Sequence, residues 1–128
     1  MKLLLDTHTF IWWTTEPSRL SQPVTEALTN PDNEVFLSVA SLWEMQIKKQ
    51  LGKITFARPL PDLVADEQRA NALRLLPVMA EHVYRLDQLP PHHKDPFDRL
   101  LLAQAKCEGA TLVTSDNALK VYDVALLW

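Results

Sequence analysis

Two short apolar runs in this chain each stop on an aspartate. Lys2-Leu3-Leu4-Leu5 ends at Asp6, and Thr111-Leu112-Val113-Thr114 ends at Ser115-Asp116. An unbroken apolar run of this length suits a strand covered on both faces, because neither side of it is left for water. Val35-Phe36-Leu37, Leu73 to Val78 and Val124 to Leu127 read as further strands. Helical stretches are expected from Thr7-His8-Thr9 through Trp13, from Ser21 to Asn30, from Ser38 to Leu51, from Asp62 to Ala72 and from Ala80 to Leu86. A last helix has Asp95 as N-cap, Pro96 in the first helical position, a body to Cys107 and Gly109 as its stop. Strands alternating with helices predict an α/β fold, with a central parallel β-sheet of about four to five strands and right-handed crossovers flanked by helices. Such a sheet brings every strand's carboxyl end to one edge, where open α/β folds bind ligands.

Composition narrows the class. The chain has 128 residues, 47% of them hydrophobic, which is enough for one domain over residues 1–128 and too little for two. Two glycines and nine prolines argue against low complexity. A net charge of -3 does not mark a nucleic-acid binder, but an acidic total can conceal a local basic patch. Cys107 stands alone, which excludes a disulfide framework and a cysteine metal knot, and it is expected to be an inert core thiol. No apolar run approaches the ~20 residues of a membrane span. Met1 to Leu5 meets Asp6 too soon for a signal peptide, so a reducing cytoplasm is the expected setting.

Four acids are candidates for chemistry, and each has a structural reading beside the functional one. Asp6 and Asp116 end buried strands, where either could simply cap the following turn. Glu44 is the one charge in a stripe of Ala40, Trp43, Ile47 and Leu51 spaced by threes and fours. Lys48, one turn on, is its structural partner, although a surface pair of that kind contributes only about 0.3–0.5 kcal/mol. Asp98 begins the stripe Leu101, Leu102 and Ala105, so it either needs a partner on a buried face or reaches back to the Asp95 amide as a capping box. Asp95 is left between cap and site. His82 reads as surface. Carboxylates gathered at one sheet edge repel one another unless a cation sits among them. Oxygen donors select a hard ion, Mg²⁺ or Mn²⁺, and such a centre suits phosphodiester hydrolysis.

The blocks Leu4-Leu5-Asp6-Thr7-His8, Ser38 to Glu44, Leu89-Pro90 to Arg99 and Val113-Thr114-Ser115-Asp116, in this order, resemble a PIN-domain nuclease. More narrowly they resemble the VapC-like toxins of type II toxin–antitoxin modules, across nearly the whole chain. The resemblance implies a metal-dependent ribonuclease with Asp6, Glu44 and Asp98 as the acidic core and Asp116 as the fourth carboxylate. It also implies a homodimer and a small antitoxin whose tail covers the site. A second aspartate, Asp95, departs from the broader pattern.

In-line attack on RNA also needs donors beside the carboxylates. Thr7, Lys48, His92, His93, Lys94, Arg99 and Ser115 are the expected substrate-binding residues, with Arg99 alternatively pairing to Asp95. Two other classes compete with the nuclease. One is a catalytically idle PIN fold acting as an RNA- or protein-binding scaffold, against which the full acid set argues. The other is an aspartyl-nucleophile phosphatase, which usually wants an aspartate where His8 stands.

Overall fold

The leucines of β1 (Lys2–Leu5) are fully buried, and the strand lies at the centre of the sheet. Around it β2 (Glu34–Ser38), β3 (Arg74–Leu76), β4 (Thr111–Val113) and β5 (Leu126–Leu127) assemble in the order β3-β2-β1-β4-β5, every neighbouring pair parallel. The computed structural model describes residues 1–128. Because side chains alternate along a strand, Leu3 and Leu5 join one core layer and Leu4 the other. The first layer takes Phe10 from α1 (Thr7–Thr15), Val24 and Leu28 from α2 (Gln22–Thr29), Met45 from α3 (Val39–Gln50), and Leu60 and Val64 from α4 (Leu60–Asn71). On the second layer Leu101, Leu102 and Ala105 of α6 (Pro96–Glu108) pack with Leu112 and Leu119. Each such leucine, moved out of water, contributes about 1.5–3 kcal/mol.

The chain runs outward from β1 through β2 to β3, then returns to the other flank of β1 as β4. The segments that leave β1 and β4 therefore go to opposite faces, α1 to the first layer and the 3-10 turn Asn117–Val121 to the second. A crevice forms where they part, at the carboxyl ends of the strands. Asp6 and Asp116 stand on its two sides.

Several boundaries shift from expectation. The third strand is only Arg74–Leu76 and the fourth helix starts at Leu60, whereas α6 begins at Pro96 behind the Asp95 cap as expected. Two burial expectations fail. In α3 the buried face is Ala40, Ser41, Glu44 and Met45, whereas Trp43 is 64% exposed and Leu51 equally so. The stripe is thus rotated, and Glu44 is its one correctly placed charge. His82, on α5 (Ala80–Arg85), is fully buried rather than on the surface. Its Nδ1 accepts from the Met79 amide at 3.0 Å, with Gln104 Nε2 at 3.4 Å, and its Nε2 lies 3.3 Å from Glu108 Oε2. Gln104 and Glu108 lie in the C-terminal half of α6 and Met79 caps α5, so the ring is a clamp between α5 and α6. Cys107 is half-buried beside it, 3.9 Å from the Glu81 carbonyl.

Candidate active site

At the carboxyl edge, capping and site geometry turn out to be compatible. Asp6 is 7% exposed and caps α1, its Oδ1 accepting from the Thr9 amide at 2.8 Å. Its own amide donates to the Val113 carbonyl at 3.0 Å, which ties the aspartate to β4 across the crevice. Asp116 caps its 3-10 turn in the same way, Oδ1 accepting from the Ala118 amide at 2.9 Å. In both, a single carboxylate oxygen is engaged by the backbone and Oδ2 makes no hydrogen bond within the chain. A cap held by one oxygen fixes the group and leaves the other to face the crevice.

Glu44 arrives from α3, whose N-cap Ser38 is the last residue of β2. Six residues at a rise of about 1.5 Å bring it roughly 9 Å along the helix. It is 7% exposed, and both oxygens are held: Oε1 by the Thr7 hydroxyl at 2.6 Å and Oε2 by Lys48 Nζ at 2.9 Å. The expected Lys48 pair therefore exists. It acts on a buried carboxylate, though, where a partner offsets a desolvation cost of roughly several kcal/mol. Ser41 Oγ stands 3.2 Å from the same Thr7 hydroxyl. Thr7 is itself buried, so it positions Glu44 instead of lying open to a substrate. Trp43 and Phe97, the neighbours of Glu44 and Asp98, meet edge to face at 5.4 Å and pin α3 to the start of α6.

Asp98 lies in the first turn of α6. It turns to His93, whose Nε2 is 2.8 Å from Asp98 Oδ2, and not back to the Asp95 amide as a capping box. Asp95 is the cap, Oδ1 accepting from the amides of Phe97 at 2.8 Å and Asp98 at 3.2 Å. Donor atoms of His93, Asp98 and Asp116 lie within 4.8 Å of one another, the tightest cluster at the edge. Burial raises the Asp98 pKa above its ordinary value; the charges of Asp95 and Asp6 raise it further, and the His93 hydrogen bond opposes them. Asp6 thus stands outside the triad but within electrostatic reach of it. Carboxylates so desolvated and so close to other acids, with unbonded oxygens, fit a divalent cation.

The expected rim divides. Lys94 and His92 are exposed before the N-terminus of α6, and Ser115 is exposed beside Asp116. Arg99 is elsewhere: its guanidinium donates to the carbonyls of Leu86, Leu89 and Pro90 at 2.9–3.4 Å and to the Tyr122 hydroxyl at 3.2 Å. Its guanidinium does not pair with the Asp95 carboxylate; it staples the loop that carries His93. Sequence reasoning could find His93 only as an undefined donor, since its meeting with Asp98 depends on that staple.

The PIN-domain family model matches residues 3–125. Ribonuclease VapC22 of Mycobacterium tuberculosis is 31% identical over 119 residues, 92% of this chain and 89% of that protein. The VapBC2 complex of Rickettsia felis, solved on a promoter DNA fragment, superposes with a TM-score of 0.76 at 18% identity, covering 99% of this chain and 98% of that one. A DNA-bound VapBC from Salmonella typhimurium gives 0.66 at 18% identity, with 99% and 97% covered. At those identities the structures speak for the fold. The switch-point crevice, the acids around it and the match along nearly the whole length agree: this chain belongs to the PIN-domain family, in its VapC-like ribonuclease branch.

Proposed function

We propose that this chain is a divalent-cation-dependent endoribonuclease acting in the cytoplasm, the toxin of a type II toxin–antitoxin pair. Asp6, Glu44, Asp98 and Asp116 form its acidic centre. The observation that carries the reading is the meeting of half-buried Asp98 with Asp116 at the crevice edge, in a chain of this family. A resident Mg²⁺ or Mn²⁺ would supply activation of a water and neutralisation of charge developing on the phosphate. The unbonded oxygens of Asp6, Asp98 and Asp116 would hold the cation. Thr7 and Lys48 hold Glu44 in place, and the N-terminal end of α6, its first amides taken up by the Asp95 cap, borders the track for RNA. Lys94 and His92 extend that face as the basic rim for RNA.

The antitoxin has apolar surface to use. A groove of about 550 Å³ between α3 and α4 is lined by Val39, Leu42, Trp43, Leu60 and Leu75, and Trp43 stands mostly free in it. Met79, Val83 and Tyr84 on and before α5 are exposed as well and offer a face for a homodimer. Incubating the protein with single-stranded RNA and Mg²⁺ or Mn²⁺ should give internal cleavage that a chelator stops. Asp6→Asn should lower the rate by at least about 100-fold without unfolding the chain. RNA binding without any cleavage would make the chain an idle scaffold.

A further inference from the structure

We propose that His93 is itself a ligand of the divalent cation, so that the centre is a mixed imidazole–carboxylate site and prefers Mn²⁺ to Mg²⁺. The inference rests on reading the acidic cluster as a metal centre, and it adds a donor that the four acids do not supply. Three observations support it.

His93 Nε2 lies 2.8 Å from Asp98 Oδ2, and those atoms and an Asp116 oxygen fall within 4.8 Å of one another. Two donors at adjacent corners of an octahedron with bonds of about 2.1 Å are about 3.0 Å apart. The imidazole is therefore already at ligand spacing from Asp98. Its other nitrogen, Nδ1, makes no hydrogen bond within the chain. On binding a cation Nε2 would give up its hydrogen bond to Asp98 and offer its lone pair, with the ring proton carried on Nδ1. His82 differs in this respect, since its Nδ1 is occupied by the Met79 amide.

The chain also holds His93 in place from behind. Its amide donates to the Tyr122 hydroxyl at 2.8 Å, and Tyr122 is buried. Arg99 donates to the same hydroxyl and to three carbonyls of residues 86–90. The His92 ring packs edge-on against Tyr122 at 5.6 Å and so is turned away from Asp98. A solvated histidine needs no such anchoring, whereas a ligand held by one nitrogen needs its backbone fixed. Imidazole nitrogen suits Mn²⁺ better than Mg²⁺, which demands oxygen and keeps much of its water.

The test uses the full chain loaded with Mn²⁺ and read by pulsed electron paramagnetic resonance, which detects a nitrogen nucleus bonded to the ion. Wild type should show one imidazole nitrogen coupling. His93→Gln should lose it and bind Mn²⁺ about tenfold or more weakly, as titration reads it, while Mg²⁺ binding changes much less. His92→Gln should leave the coupling intact. Mn²⁺ bound without nitrogen coupling in wild type, or with coupling that survives in His93→Gln, overturns the proposal and leaves the acidic centre standing. Equal weakening of both ions in His93→Gln also overturns it, because His93 would then only orient Asp98. Failure of wild type to bind Mn²⁺ at all sinks the metal centre, and this inference with it.

Discussion

Helix α6 carries a histidine–carboxylate pair at each end, and the two pairs differ in almost everything but chemistry. At its C-terminal end His82 and Glu108 meet at 3.3 Å, with the ring fully buried and both nitrogens committed. At its N-terminal end His93 and Asp98 meet at 2.8 Å, half-buried, with one ring nitrogen and one carboxylate oxygen unbonded. The first pair closes a packing problem between α5 and α6. The second sits among three further acids at the edge of a parallel sheet, where burial disfavours its charge. Contact between a histidine and an acid is therefore no sign of function. What separates the two is whether donor capacity is left over and whether like charges surround it.

The largest expected effect comes from breaking the N-terminal pair. Asp98→Asn keeps the shape and removes the charge, so divalent-dependent RNA cleavage should fall by at least about 100-fold. Thermal unfolding of the metal-free protein should be unchanged or rise, because a desolvated charge among acids has gone. Near-normal activity in this variant would return Asp98 to the role of a helix-start residue.

At the C-terminal pair the outcome should invert. His82→Ala leaves the Met79 amide and Glu108 without their partner and opens a void between α5 and α6. Denaturant unfolding should register a loss of about 2–4 kcal/mol, while Mn²⁺ affinity stays as in wild type. Equal damage to metal binding from His82→Ala and from Asp98→Asn would dissolve the distinction between the two ends.

The same contrast explains what was legible in the sequence. Leu3-Leu4-Leu5 and Leu112-Val113 announce buried parallel strands because no polar alternation interrupts them, and the order of strands and helices then places Asp6, Glu44, Asp98 and Asp116 at one edge. His82 was not legible. Its neighbours Val83 and Tyr84 are the apolar residues of α5, yet they are exposed and the histidine is buried. The reason lies in Met79, Gln104 and Glu108, two of them far along the chain. Arg99 misleads for a similar cause: its acceptors are backbone carbonyls, which no sequence displays. Trp43 reads as core because it falls three residues after Ala40 and four before Ile47, and only the burial of Ser41 and Met45 shows which way α3 is turned.

A smaller effect concerns pH. In the folded chain Asp98 keeps its proton to a higher pH than the ordinary value of 3.8. The folded state then binds more protons than the unfolded state across the window above that value, and stability falls as pH rises through it. Denaturation in chelator across that window should show this decline, and Asp98→Asn should flatten it. Saturating Mn²⁺ should oppose it, since the cation binds the ionised form and stabilises whatever it binds. A metal-free stability that rises through the same window would contradict the burial of Asp98.

The finest test concerns the residue between the two roles, Asp95. Its carboxylate accepts from the Phe97 and Asp98 amides, and serine caps helices about as well, so Asp95→Ser should change unfolding by no more than about 0.5 kcal/mol. The charge, however, is one of the causes that raise the Asp98 pKa. Removing it lets Asp98 ionise at lower pH, so the window of declining stability should narrow and move toward 3.8. Cleavage near neutral pH should hold within a few-fold, because Asp95 offers the cluster no donor atom. A folded Asp95→Ser chain that no longer cleaves RNA would put Asp95 inside the site. One whose pH window does not move would show that solvent screens Asp95 from Asp98, and that burial and Asp6 alone hold the proton on.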